Sequence, residues 1–206
     1  SHSTEPQMIP DVVDARVLGE ETVQLMQRSV RSILGTGEQS GIDGSALVLA
    51  GKASQIDLGN DSQLRADHLV LTGRAVVGKV GPVGRFTSTL LPITDKQYRG
   101  LARLARPAGD GLEFGAEGIL EGDGSDCCRL NFIQSTEPVS VGDSIFTAAA
   151  DGSLDVPLLY GTVIEAELPT GAPHWSIRVK PAADLKKLRT VQIVRTQLNP
   201  VRLSAH

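Results

Sequence analysis

Tyr160-Gly161-Thr162-Val163, followed by Ile177-Arg178-Val179-Lys180-Pro181-Ala182-Ala183-Asp184, repeats the plan of Val77-Gly78-Lys79-Val80 and Leu90-Leu91-Pro92-Ile93-Thr94-Asp95. Each copy reads as a strand carrying Gly-x-Val, a loop, and a second strand ending in Pro-x-x-Asp. Upstream of each, a Gly/Asp turn enters an apolar strand, at Gly41-Ile42-Asp43-Gly44-Ser45-Ala46-Leu47-Val48 and at Val141-Gly142-Asp143-Ser144-Ile145-Phe146. A duplicated unit of this kind predicts two similar all-β halves, with a boundary near Asp95–Leu104.

The rest of the chain agrees with that plan. Short β-branched runs at Ala46–Leu49, His68–Leu71, Ala75–Val80, Thr89–Ile93, Ser144–Thr147, Leu158–Ile164, Ser176–Val179 and Val191–Val194 are separated by turn residues. Evenly spaced short strands with Asp-Gly turns, here at Asp43, Asp110, Asp123 and Asp151, mark a barrel or sandwich. Ile177 and Val179 alternate with Ser176, Arg178 and Lys180, the period of a half-buried strand. Helix is expected in few places. Glu20–Met26 reads either as a short helix or as a lead into a strand through Ser29–Leu34. Pro181–Leu188 reads as one or two helical turns, with Pro181 near the start and Lys186, Lys187 and Arg189 near the end. Residues 1–10 and 199–206 read as flexible ends.

Composition narrows the function classes. The chain has 206 residues, a net charge of −4, and 3% aromatic residues, with a pI near 5.6. A weakly acidic protein with so few aromatic rings offers neither the basic field nor the stacking platforms that nucleic acid requires. No apolar run approaches the ~20 residues needed to cross a bilayer. Ser1-His2-Ser3 reads as an expression scar or a cut end.

Gly142-Asp143-Ser144 resembles the nucleophile loop of trypsin-like proteases, but that chemistry needs a histidine base, an orienting acid and oxyanion donors. His68 stands in Ala66-Asp67-His68-Leu69-Val70 without such a setting, and Ile145-Phe146 follow Ser144 where the protease loop carries glycines. A Gly-Asp turn feeding a buried strand is the reading adopted. Cys127 and Cys128, adjacent on a strand, point to opposite faces; they read as two reduced thiols, one inward and one outward, with a strained vicinal disulfide or an intermolecular one as alternatives. Glu113, Glu117, Glu121, Asp123 and Asp126 lack the ligand series of a calcium loop. His2, His68, His174 and His206 have no zinc spacing. Gly115–Gly122 reads as tight turns and barrel bends. His174 and Trp175 follow a Pro-rich turn, and either form an exposed contact tip or cap the end of a barrel; they are the candidate partner-contact residues. No catalytic, cofactor or metal residue is assigned.

Several segments together resemble the MreC family of bacterial rod shape-determining proteins. They are Ala15-Arg16-Val17-Leu18-Gly19, Gly41–Gly44, Val76–Val80 with Ser88–Asp95, Gly118–Gly122, Val141–Thr147, and Tyr160–Val163 with Val179–Leu185 and Val191–Val194. The resemblance runs over about residues 15–195. It implies two small six-stranded β-barrels in a chymotrypsin-like arrangement without protease activity, spanning 11–98 and 99–198 with strands open to exchange between them. It further implies a periplasmic protein, anchored to the inner membrane by an N-terminal helix and followed by a coiled coil. The function implied is a non-catalytic scaffold of the cell-elongation machinery. The implied partners are further copies of the chain, the penicillin-binding protein of that machinery, and MreD and RodZ through the membrane-proximal part. Partly open barrels would make such contacts through free strand edges. Alternative readings are a peptidoglycan- or carbohydrate-binding module using Trp175 and a divergent trypsin-like hydrolase using Ser144. Thr147-Ala148-Ala149-Ala150-Asp151-Gly152 departs from the Thr-Ser-Gly turn common in the family, and Gly51–Arg65 reads as an insert.

Overall fold

The structure, a computed structural model, describes residues 8–18, 54–109, 111–148 and 156–198. Twelve strands follow one another: β1 (Met8–Leu18), β2 (Gln55–Ile56), β3 (Leu69–Thr72), β4 (Ala75–Val83), β5 (Ser88–Pro92), β6 (Arg99–Ala108), β7 (Gly111–Gly122), β8 (Cys128–Asn131), β9 (Ser144–Thr147), β10 (Leu159–Glu167), β11 (Ser176–Pro181) and β12 (Thr190–Leu198). The stretches Gly41–Val48 and Glu20–Leu34 lie outside the described residues.

Hydrogen-bond pairing closes these strands into two rings of six. One runs β4-β3-β12-β1-β2-β5 and back to β4; the other runs β11-β8-β7-β6-β9-β10 and back to β11. The rings meet at a parallel bridge between Leu159 and Ala75, where the Leu159 N–H donates to Arg74 O at 3.0 Å. β12, the last strand, pairs with β1 and β3 in the first ring. Closure removes most of the free strand edges that partly open barrels would have offered.

Among the described residues, the repeated Gly-x-Val and Pro-x-x-Asp segments make equivalent pairings, although Gly41–Val48, the expected counterpart of Val141–Phe146, lies outside them. In β3–β4, Val70 faces Gly78 and Leu71 faces Val76, leaving Val77 as an extra bulged residue. In β9–β10, Ile145 faces Gly161 and Phe146 faces Leu159, leaving Tyr160 in the same role. The bulged carbonyls then accept equivalent bonds, from Ile93 N–H to Val77 O and from Ala182 N–H to Tyr160 O, both 3.0 Å. At the other end, Val80 exchanges bonds with Asp67 and His68, as Val163 does with Gly142 and Asp143. The turn residue has positive φ in both copies, 69° at Asp67 and 97° at Gly142. Asp67-His68 is therefore the counterpart of Gly142-Asp143.

The repeated residues have physical reasons. Gly78 faces Pro92 and Gly161 faces Pro181. A Cβ on Gly78 would overlap the Leu91 carbonyl oxygen, and one on Gly161 would overlap that of Lys180. The aspartate of Pro-x-x-Asp folds the chain back: Asp95 Oδ1 accepts Gln97 N–H at 2.8 Å, and Asp184 Oδ1 accepts Lys186 N–H at 3.1 Å.

That second bond corrects one expectation. Pro181–Leu188 forms no helical turns; Pro181 ends β11, and the Asp184 side chain captures an N–H that a helix would need. Lys187 N–H to Asp184 O closes only a single turn. A second correction concerns the tight turns expected at Gly115–Gly122: these residues belong to the twelve-residue strand β7, and the bend there is a bulge in which Gly115 and Ala116 lie opposite Leu104. Gly118 lies so close to β8 that a Cβ would overlap Asn131 O.

Two apolar cores result. Ala15, Ile56, Leu64, Val70, Val77, Val80, Leu90, Val191 and Ile193 fill the first ring. The second core, with Leu104, Leu120, Leu130, Ile145, Val163 and Ile177 among its members, also takes in Leu71, Val76 and Val194 from the outside of the first ring. β3, β4 and β12 are thus buried on both faces, which locks the rings together. Burying a Val or Leu side chain stabilises by about 1.5–3 kcal/mol.

Gly161→Ala and Gly78→Ala are each expected to destabilise by about 2–3 kcal/mol, because overpacking against a carbonyl forces two strands apart. Gly111→Ala, which meets nothing within 4 Å, is expected to stay within about 0.5 kcal/mol of the parent. Thermal unfolding followed by circular dichroism ranks the three.

Candidate interaction surfaces

Ser144 opens β9 and pairs with Ala105 on β6 and Thr162 on β10. The Asp143 carboxylate beside it is buried, with Oδ2 engaged. It accepts from Arg106 Nη2 at 3.1 Å and from Ser140 N–H at 2.9 Å, while the same Arg106 nitrogen donates to Pro138 O at 2.7 Å. Among the described residues no imidazole hydrogen-bonds Ser144. His68 lies in the turn before β3, its Nδ1 accepting Arg65 N–H at 3.3 Å. Burial, then the charges of Arg65 and Arg195, hold that ring below the ordinary imidazole range. The residues that suggest a protease loop form a charge-tied turn instead.

The acids of the 113–126 stretch also separate into different bonds. Glu121 pairs with Arg99 at 2.6 Å, and Asp126 with Lys186 at 2.7 Å. Asp123 accepts from the Ser125 N–H and hydroxyl. Among the described residues, no group of three or more His, Cys, Asp or Glu side chains is placed to hold a metal ion. Cys127 is half-exposed and Cys128 is buried, and both are free thiols. Cys128 Sγ donates to Ile93 O at 3.2 Å. Burial foremost, then the neighbouring Asp123 and Cys127, pushes its thiol up to about 12.

His174 and Trp175 sit side by side but do different work. The 131–137 and 169–175 loops are zipped by Ser135 N–H to Pro173 O and Trp175 N–H to Ile133 O, both 2.9 Å. The Trp175 ring packs partly against the second core, and its Nε1–H donates to Glu137 O at 2.9 Å. His174 remains exposed and makes an edge-to-face contact with Phe132, centroids 6.1 Å apart. Phe132 is 58% exposed and held at φ 69°, which is uncommon for a bulky side chain. Sequence reasoning missed it, since nothing in Asn131-Phe132-Ile133 announces a left-handed residue. An exposed aromatic pair on a rigid loop is a ready contact point.

The second surface is the long hairpin of β6 and β7. β8 pairs with β7 only from Ile119 to Gly122, so among the described residues no strand pairs with the Gly111–Glu117 edge on that side. Leu112 and Phe114 stand 46% and 37% exposed along it. Phe114 packs edge-to-face on Phe146 at 5.7 Å, and the Arg103 guanidinium lies 4.0 Å from its ring centre.

Comparison with known proteins places this architecture. The family profile described as "Rod shape-determining protein MreC, barrel core" matches residues 50–195. The cell shape-determining protein MreC of Cereibacter sphaeroides is 27% identical over 147 residues, covering 71% of this chain and 45% of that protein. The chain thus spans less than half the length of that relative. The crystal structure of MreC from Pseudomonas aeruginosa matches with a TM-score of 0.65 at 18% identity, over 90% of this chain and 99% of that one. A solved complex between a penicillin-binding protein and MreC from Helicobacter pylori matches with a TM-score of 0.55 at 12% identity, over 91% of this chain and 99% of that one.

A thiol reagent at neutral pH is expected to modify Cys127 alone, leaving Cys128 unreacted until the protein unfolds. The thiolate is the reactive form and burial suppresses it. Mass spectrometry of native and denatured samples reads the difference; rapid native labelling of Cys128 would contradict the packing described.

Proposed function

Because the chain belongs to the MreC family of rod shape-determining proteins, we propose that it acts as a non-catalytic scaffold of the bacterial cell-elongation machinery. The observation that carries this reading is the pair of closed, mutually packed rings in the family's barrel core. Their polar side chains are engaged in holding turns, as Asp143 and Arg106 are. Rigid rings with exposed aromatic and apolar positions at loops and hairpin tips suit a part that works by contact. Phe86, Phe132 and Val141 are such positions.

In this role the chain associates with further copies of itself and with the penicillin-binding protein of the elongation machinery. The Helicobacter complex, a relative of the same fold bound to such a protein, supports the second contact. MreD and RodZ are reached through a membrane-proximal part. The protein works in the periplasm, held to the inner membrane by an N-terminal helix. Among the described residues, no helix is long and apolar enough to cross a membrane. His174, with Phe132 beside it, is our candidate for direct partner contact, and Trp175 for holding the loop in place.

Sedimentation velocity is expected to show concentration-dependent self-association. Biolayer interferometry is expected to show binding to the ectodomain of the elongation penicillin-binding protein from the same organism. A strict monomer at high concentration that also fails to bind that ectodomain would sink the proposal. A fluorophosphonate probe is expected to leave Ser144 unlabelled, and labelling abolished by Ser144→Ala would reinstate the hydrolase.

A further inference from the structure

The free side of the β6–β7 hairpin has a defined hydrogen-bonding character. Two residues connect Ala108 to Gly111, which are cross-strand partners, so that closing pair uses its backbone groups within the hairpin. The next pair, Pro107 and Leu112, is then of the wider kind whose N–H and C=O groups point away from each other. Pro107 fits this place because it has no N–H to donate. The same alternation turns the N–H and C=O of Leu112 and Phe114 to the outer edge, where β8 does not reach.

Charge on this edge is unbalanced. Glu113 lies opposite Arg106, and Glu117 opposite Arg103. Both arginines are committed elsewhere, Arg106 to Asp143 and Pro138 and Arg103 to the face of Phe114. Among the described residues neither glutamate forms an ion pair, and both are exposed. A second copy paired antiparallel about Gly115 would set Glu113 against Glu117, like charge opposite like charge. The two free acids thus disfavour that self-pairing and favour a cationic strand.

We infer that the Gly111–Glu117 edge of β7 is a docking site for an extended, basic segment of a partner protein, which adds to the sheet as a further strand. Leu112 and Phe114 supply the main-chain bonds and an apolar surface for an aliphatic side chain. Glu113 and Glu117 receive basic side chains on either side of it. Main-chain pairing gives such a contact its affinity and the flanking side chains give it specificity. The inference rests on the scaffold reading and gives one of its contacts a chemistry.

The test uses the intact, isotope-labelled chain and a synthetic peptide of alternating lysine and valine, with a glutamate–valine peptide as control. Binding of the lysine peptide is expected to shift and protect the Leu112 and Phe114 amides and to weaken as salt rises. In Glu113→Gln/Glu117→Gln it is expected to fall about fivefold or more, with an unchanged melting temperature, since both side chains are exposed and no new like-charge pair is made with Arg103 or Arg106. Absence of binding up to about 1 mM, equal binding of the glutamate peptide, or shifts confined to other strands would each overturn the proposal. Such a failure leaves self-association and penicillin-binding-protein capture intact; failure of the scaffold reading abolishes those while peptide binding persists.

Discussion

In each ring a glycine on the central strand lies directly against a carbonyl oxygen of the next strand, Gly78 on Leu91 and Gly161 on Lys180. This approach leaves no volume for any side chain, and it coincides with the bulge that turns Val77 or Tyr160 out of register. A bulge increases twist and bends its strand. Bending is what a sheet of only six short strands needs in order to meet its own edge. Closure, the double-sided burial of β3, β4 and β12, and the seam between the rings all depend on it.

The parts of this design that were legible in sequence are those whose causes are local. Gly-x-Val and Pro-x-x-Asp could be read as a repeat because a close backbone approach and a side-chain-locked turn each demand particular residues at fixed offsets. The burial of Cys128 follows from its place at the start of β8, and Cys127, just before that strand, is less buried. What failed was governed by distance or by competition. Gly115–Gly122 looked like punctuation because half of β7 faces solvent and shows no period. Pro181–Leu188 had helical end signals, but the Asp184 side chain satisfied the backbone first. The positive φ of Phe132 arises from the zipped loops around it, and no neighbouring residue in the chain foretells it.

The polar groups tell the same story about function. Aspartate, serine and arginine at Asp143, Ser144 and Arg106 are types that elsewhere build reactive sites, yet here the acid is held by Arg106 and Ser140. His68 occupies the matching turn of the other ring, where burial favours its neutral form. Duplication has reused one turn with a different polar residue each time, and in both it anchors the strand that follows. The candidate contact surfaces lie at the ends of loops and hairpins, where closure leaves side chains free.

The return of β12 to the first ring makes the strands from Arg99 to Pro181 an insertion inside a ring whose opening strand and closing strand are Met8–Leu18 and Thr190–Leu198. Chain synthesis proceeds from the N-terminus and domains fold as units when their residues are complete. The later ring can therefore assemble as soon as Pro181 has emerged, whereas the earlier one must wait for Leu198. The half that is made first is finished last, and its apolar lining stays uncovered until β12 arrives.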